Sequence, residues 1–209
     1  MPGPHDVILA KAAKETLGPL GFKRKGRSRT WLLDRNWWLL VVEFQPSGWS
    51  KGSYLNVSAH WLWTGNDFIS FDFGGRVLEF VGYETDAQFT PLAQALAERA
   101  GEEAQKLMGM FSSIGATAEF LLSDEALARP HPSWRHYHAG VAAALVGNAP
   151  VAAALFGAIV HDDLKDKAEA MARLLDDLSV FKAAILSLIA QHRDVLSLPA
   201  KDIDAEILL

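Results

Sequence analysis

The sequence predicts an α+β fold: an N-terminal helix, a four-stranded, mostly antiparallel sheet and a C-terminal helical bundle. Three observations carry this. Between Phe22 and Trp63 the chain reads as strand-length runs, apolar or alternating, separated by short turn signals. Six of the seven tryptophans fall inside that stretch, between Trp31 and Trp63. From Thr90 onward the chain turns Ala- and Leu-rich at helical spacing. Strands joined by short turns make an antiparallel meander the simplest topology, and helices on one face would bury its apolar side.

In chain order, Asp6 is placed to cap a helix whose apolar positions Val7, Ile8, Ala12 and Leu17 form a loose stripe. Gly18, Pro19 and Gly21 stop it. A first strand is expected from Phe22 to Leu33, with Lys23, Lys25, Arg27 and Arg29 projecting from one face because strand side chains alternate. Asp34-Arg35-Asn36 makes a turn. The second strand, Trp37 to Gln45, is apolar on both faces until Glu43, as in a strand covered on both sides. Pro46 to Gly52 is a loop carrying Ser47, Gly48, Trp49 and Ser50. The third strand sends Leu55, Val57, Ala59, Trp61 and Trp63 one way and Tyr54, Asn56, Ser58 and His60 the other. A fourth strand is expected near Phe68 to Phe73, ended by Gly74 and Gly75.

Thr90 and Pro91 read as the cap and first turn of a long helix reaching Ser112. A break at Gly115 precedes a short helix through Leu122, and Ser123 to Pro132 reads as a linker. Two Ala-rich helices follow, Trp134 to Val146 and Pro150 to Val160, joined by Gly147-Asn148. The run from Leu164 to His192 is helical, either continuous or restarted at Ser179, and ends before Pro199. The organisation expected is a sheet region over residues 1–89 and a helical region over 90–209 that shares its core.

Composition narrows function. There is no cysteine, so thiol catalysis, zinc-thiolate sites and disulfides are excluded. The first twenty residues lack the apolar core of a signal peptide, and no apolar run approaches a membrane span, so a cytoplasmic protein without a membrane partner is expected. The net charge is −5. Residues 1–60 hold nine Lys/Arg against four acids, a local +5 that leaves −10 for the rest. The acidic whole argues against a general nucleic-acid binder, while the basic first third keeps a local anionic site open.

The candidate ligand-binding residues are Lys23, Lys25, Arg27 and Arg29 of the basic run, with Ser47 and Trp49 of the loop. A row of cations on a strand beside Trp37, Trp38 or Trp49 can hold phosphate and stack a base. The competing reading of the cations is an edge strand protected from aggregation; that of Trp49 is a loop anchor. Trp31, Trp61 and Trp63 read as core. His131, His136 and His138, near Asp124 and Glu125, form the one His-rich patch, but the spacing of His136 and His138 is not the three or four residues of a helical metal pair. His60, facing the same way as Asn56 and Ser58, could sit in a polar pocket, but an exposed strand histidine is the commoner case. No nucleophile elbow, phosphate-cradling loop or dinucleotide fingerprint is present, so no catalytic residue, metal or cofactor is assigned.

The segment Gly21-Phe22-Lys23-Arg24-Lys25-Gly26, an aromatic-apolar strand, and then Gln45-x-Ser47-x-Trp49-Ser50 resemble a bacterial domain-of-unknown-function family, number 4304, over roughly the first 130 residues. The resemblance implies a small α+β domain and transfers no activity. It would also place the basic run and the Trp49 loop near one end of the same sheet. The function expected is a non-catalytic binding or protein-interaction module, its partner a protein or a small anionic ligand. The alternatives are a binder of single-stranded nucleic acid or a nucleotide, and a hydrolase or metal enzyme. A homodimer through an edge strand or the small-residue helices is compatible with the pattern.

Overall fold

A computed structural model describes residues 3–127, 132–203 and 207. Its elements form two compact units, one made of residues 1–60 and 69–109, the other of 61–68 and 110–209. The first unit is α-helix plus antiparallel sheet and the second is helical.

Helix α1 (Pro4–Leu17) opens with Pro4, where a missing N–H costs nothing. Asp6 lies inside the first turn rather than at the cap, and its carboxylate reaches back to accept the Gly3 N–H at 2.8 Å. The sheet has five strands, not four: β1 (Lys23–Arg24), β2 (Thr30–Asp34), β3 (Trp38–Glu43), β4 (Gly52–Trp61) and β5 (Phe73–Gly82), neighbours in that order. The single basic strand expected from Phe22 to Leu33 is in fact a hairpin, with Arg24 opposite Trp31 and residues 25–29 in its turn. Backbone, a side chain and a left-handed glycine together close that turn. Lys25 N donates to Thr30 O at 2.9 Å, the Arg24 guanidinium donates to Ser28 O and Arg27 O, and Gly26 takes φ 56. The four basic positions therefore do not share one strand face.

Strand β3 is buried on both faces from Trp38 to Val42, as its apolar run requires. Strand β4 stops at Trp61, so Trp63 sits in a 3-10 turn (Leu62–Thr64) instead of the strand. Its polar face is also buried: Ser58 and His60 are wholly covered, which corrects the expectation of an exposed histidine. Strand β5 begins where the fourth strand was expected to end. Gly74 and Gly75 stand inside it, paired with Ser58 and Val57. A glycine pair marks close approach of two backbones as readily as a turn. At Gly74 (φ 107) an added Cβ would lie 2.4 Å from Val57 O. Two register shifts beside Leu55 interrupt the β4–β5 pairing, and such bulges bend an edge strand away from foreign strands.

Helix α2 (Asp86–Met110) starts a turn before Thr90-Pro91, because Thr85 is the true cap: its hydroxyl accepts the Gln88 N–H at 3.2 Å. Pro91 lies within the helix.

In the second unit, Ser113 caps α3 (Ile114–Leu121), so Gly115 is helical rather than a break. A single turn, α4 (Asp124–Leu127), occupies part of the expected linker; Pro130 and His131 fall outside the described residues. Helices α5 (Pro132–Leu145) and α6 (Ala149–Gly157) meet at the Gly147-Asn148 turn, with Asn148 Oδ1 accepting the Val151 N–H. Gly140 is what lets them close: a Cβ there would stand 2.6 Å from the Phe156 ring. Helix α7 (Asp162–Ala172) and helix α8 (Leu178–Val195) are separate, and Asp177, not Ser179, caps the latter. Trp61 stacks on Trp63 at 5.3 Å and meets Phe111 edge-on at 4.8 Å, forming an aromatic core. Among the described residues, no helix is long and apolar enough to cross a membrane.

Candidate functional site

The antiparallel register puts the β1–β2 turn and the β3–β4 loop at one end of the sheet, since Thr30 opens β2 opposite Glu43 at the end of β3. Arg29 joins the two. Its guanidinium donates to Gly52 O at 2.8 Å and grips the Asp6 carboxylate, with Nε at 2.7 Å and a second, shorter contact through Nη2. Burial pushes the Asp6 carboxyl up. Arg29 and the Gly3 N–H outweigh it and hold the group below the ordinary carboxylate range. Arg29 is thus a structural tie already neutralised by the protein's own acid, and Arg24 is spent on the turn's carbonyls.

The rest of the basic set is different. Lys23, Lys25 and Arg27 are exposed, as is Lys51 at the end of the loop. Ser47, half-buried, accepts the Trp49 N–H on its hydroxyl at 3.1 Å, which pins the loop's apex. Trp49 itself is 97% exposed. The loop-anchor reading of Trp49 is excluded by that number. Of the six candidate residues, five remain available at this end of the sheet: Lys23, Lys25, Arg27, Ser47 and Trp49. A cavity beside Arg29, lined by Asp6, Leu9, Arg24, Trp31 and Phe44, has room for about one water, roughly 10 Å³. It is too small for a phosphate group.

The exposure of Trp49 is directly measurable. Trp31, Trp37, Trp38, Trp61 and Trp63 are buried and Trp134 is 37% exposed. Trp49→Phe is expected to remove most of the iodide-quenchable, red-edge tryptophan emission. Unchanged quenching in that variant would show the indole to be covered.

Groups that could suggest catalysis are tied into structure. His60 Nδ1 lies 3.0 Å from both Ser70 Oγ and Asp72 Oδ2, and Ser70 Oγ donates to Asp72 Oδ1 at 2.6 Å. A serine nucleophile needs the base's second nitrogen facing it while the acid holds the first. Here both partners share Nδ1 and the serine proton is given to the acid, so the trio pins the connection before β5 to β4. His138 is stacked on Trp134 and its Nδ1 accepts the Trp63 indole N–H at 3.2 Å. For His136, burial and then Arg135 push the pKa down. Among the described residues, no three His, Asp or Glu side chains gather as a metal-ligand set; His131 lies outside them.

Two groupings escaped the sequence reading. Asn56, nearly buried, donates to Glu43 and Gln45 and accepts from Arg76 Nε, while Arg76 stacks 4.0 Å over Tyr54. Lys167 donates to Thr64 O and stands 5.7 Å from the Trp134 ring and 6.0 Å from that of Tyr137. Burial pushes its pKa down. Both depend on partners 11 to 103 positions apart, which no local pattern announces. No family model, curated protein or solved structure matches the chain.

Proposed function

We propose that this chain is a non-catalytic binding module that docks through the sheet end carrying Trp49 and the 25–29 turn. The 97% exposure of Trp49, on an apex pinned by Ser47 and tied to the basic turn through Arg29 and Gly52, carries the reading. Tryptophan is the residue most favoured as an anchor of binding energy once a partner covers it. Holding an indole in water on a fixed loop brings the fold no packing. The two segments that resemble family 4304, Gly21 to Gly26 and Gln45 to Ser50, fall on the two halves of this surface.

The test compares what the immobilised wild-type chain retains with what Trp49→Ala and the double variant Lys25→Glu/Arg27→Glu retain. All three positions are exposed, so folding should be unaffected, which thermal unfolding checks. Retention of a specific partner should fall at least tenfold in Trp49→Ala, as for an anchor residue. Equal retention by all three proteins would reject this surface. A turnover lost on mutating His60 or Ser47 would reject the non-catalytic reading itself.

A further inference from the structure

Resting on that reading, we infer that the surface takes a single-stranded nucleic acid, with Trp49 stacking a base and Lys23, Lys25, Arg27 and Lys51 meeting phosphates. The argument begins with what the basic residues are not doing. Lys23 stands on β1, a two-residue edge strand of the kind that protects a sheet edge, but Lys25 to Arg29 form a turn, where there is no strand edge to protect. Arg24 and Arg29 hold the turn and the Asp6 tie. The other four cations are exposed and form no ion pair among the described residues. Of the nearby acids, Asp6 is paired with Arg29, whereas Glu43 and Asp86 meet neutral donors, the Asn56 amide and the Tyr83 hydroxyl. Glu84 is exposed and forms no ion pair among the described residues.

The indole decides the class of anion. At 97% exposure both its faces are open. Every base offers a π-face to such a platform, but bases inside a duplex already cover each other's faces, so the strand must be single. Ser47, Gly48 and Ser50 around the apex leave room for a backbone to approach. A free nucleotide would want enclosure, and the cavity here admits about one water. A polymer that sums several weak contacts suits a convex tip. A lipid surface fits less well, because binding there scales with buried apolar area and Trp49 is the one large apolar side chain between Pro46 and Lys51.

The experiment uses the full chain and a fluorescein-labelled oligothymidylate of about 12 nucleotides, within the usual site size. Anisotropy and tryptophan emission are followed at about 10 mM ionic strength, where screening extends to roughly 30 Å. Binding with quenching of the iodide-accessible emission is expected. Log affinity should fall against log salt with a slope of about −2 to −3, as for three or four phosphates on a single strand. Trp49→Ala should weaken binding roughly ten- to a hundredfold, and Lys25→Glu/Arg27→Glu should flatten the salt slope by about 1 or more. A duplex of equal length should bind more weakly and without quenching. No binding of the oligothymidylate at low salt would overturn the inference. So would polyglutamate binding as tightly as the oligonucleotide, with no quenching by either. In both cases a protein partner lost in Trp49→Ala would leave the binding-module reading standing; its absence as well would remove both.

Discussion

Asp6→Ala lowers stability by about 2–3 kcal/mol near neutral pH, and the deficit shrinks in acid. The Asp6–Arg29 pair is partly covered, with side-chain exposures of 25% and 15%. An exposed pair contributes less than about 1 kcal/mol, whereas breaking a fully buried one costs about 3–5 kcal/mol. This pair falls between, and the lost Gly3 contact adds to it. Asp6→Asn keeps the acceptor geometry without the charge and should lose about half as much. The sign in pH follows from the lowered pKa. The carboxylate's contribution is fully present above its unfolded value, 3.8, and is lost as pH falls through the lower folded value. Urea midpoints of wild type and Asp6→Ala should therefore lie apart at about pH 7 and approach each other towards about pH 2. A gap that stayed constant across that range would mean the charge plays no part.

Gly74→Ala should cost about 3 kcal/mol or more, from two sources. The residue's φ of 107 is strained for any L side chain, at roughly 1–3 kcal/mol. The new methyl would also stand 2.4 Å from Val57 O and 3.0 Å from Ser58 Cα, so relief requires β4 and β5 to separate. Gly75→Ala separates the two terms, since its φ is 142 but nothing lies within 4 Å of the added carbon. Gly109→Ala, in open space near the end of α2, should instead gain about 0.5–1 kcal/mol of helix preference. Thermal unfolding of the three variants reads all of this. Equal losses at Gly74 and Gly75 would show that β5 yields without cost.

What the sequence disclosed and what it hid divide by range. The buried run Trp38 to Val42, the Gly147-Asn148 turn and the helical texture after Thr90 are local signals, and each corresponds to an element. The hairpin inside the basic run was hidden because its turn residues, Gly26 and Ser28, lie among cations spaced as on a strand. Strand β5 was displaced because Gly74-Gly75 serves a backbone approach from β4, a partner 15 or more positions away. The candidate site was legible as a set of residues but not as roles. Arg29 looks like Lys25 and Arg27 in sequence, and partners 23 positions away on either side, the Asp6 carboxylate and the Gly52 carbonyl, set it apart. Trp49 stands apart in sequence as the tryptophan of a Ser/Gly loop, but only its solvent surroundings decide between surface contact and loop anchor.

The second unit has a consequence for synthesis on the ribosome. Its aromatic strip, residues 61–68, emerges long before the rest of that unit. The Leu62 carbonyl and the Thr64 hydroxyl meet His192, 130 and 128 positions later, and the Thr64 carbonyl meets Lys167, 103 positions later. At about 5–20 residues per second, the strip waits on the order of 5–25 seconds for its partners. Two of its members are Trp61 and Trp63, so a nascent chain exposes a greasy segment throughout that interval. The unit is also discontinuous: a fragment starting at Met110 would lack the strip altogether. Such a fragment should recover its native spectrum only when residues 61–68 are supplied.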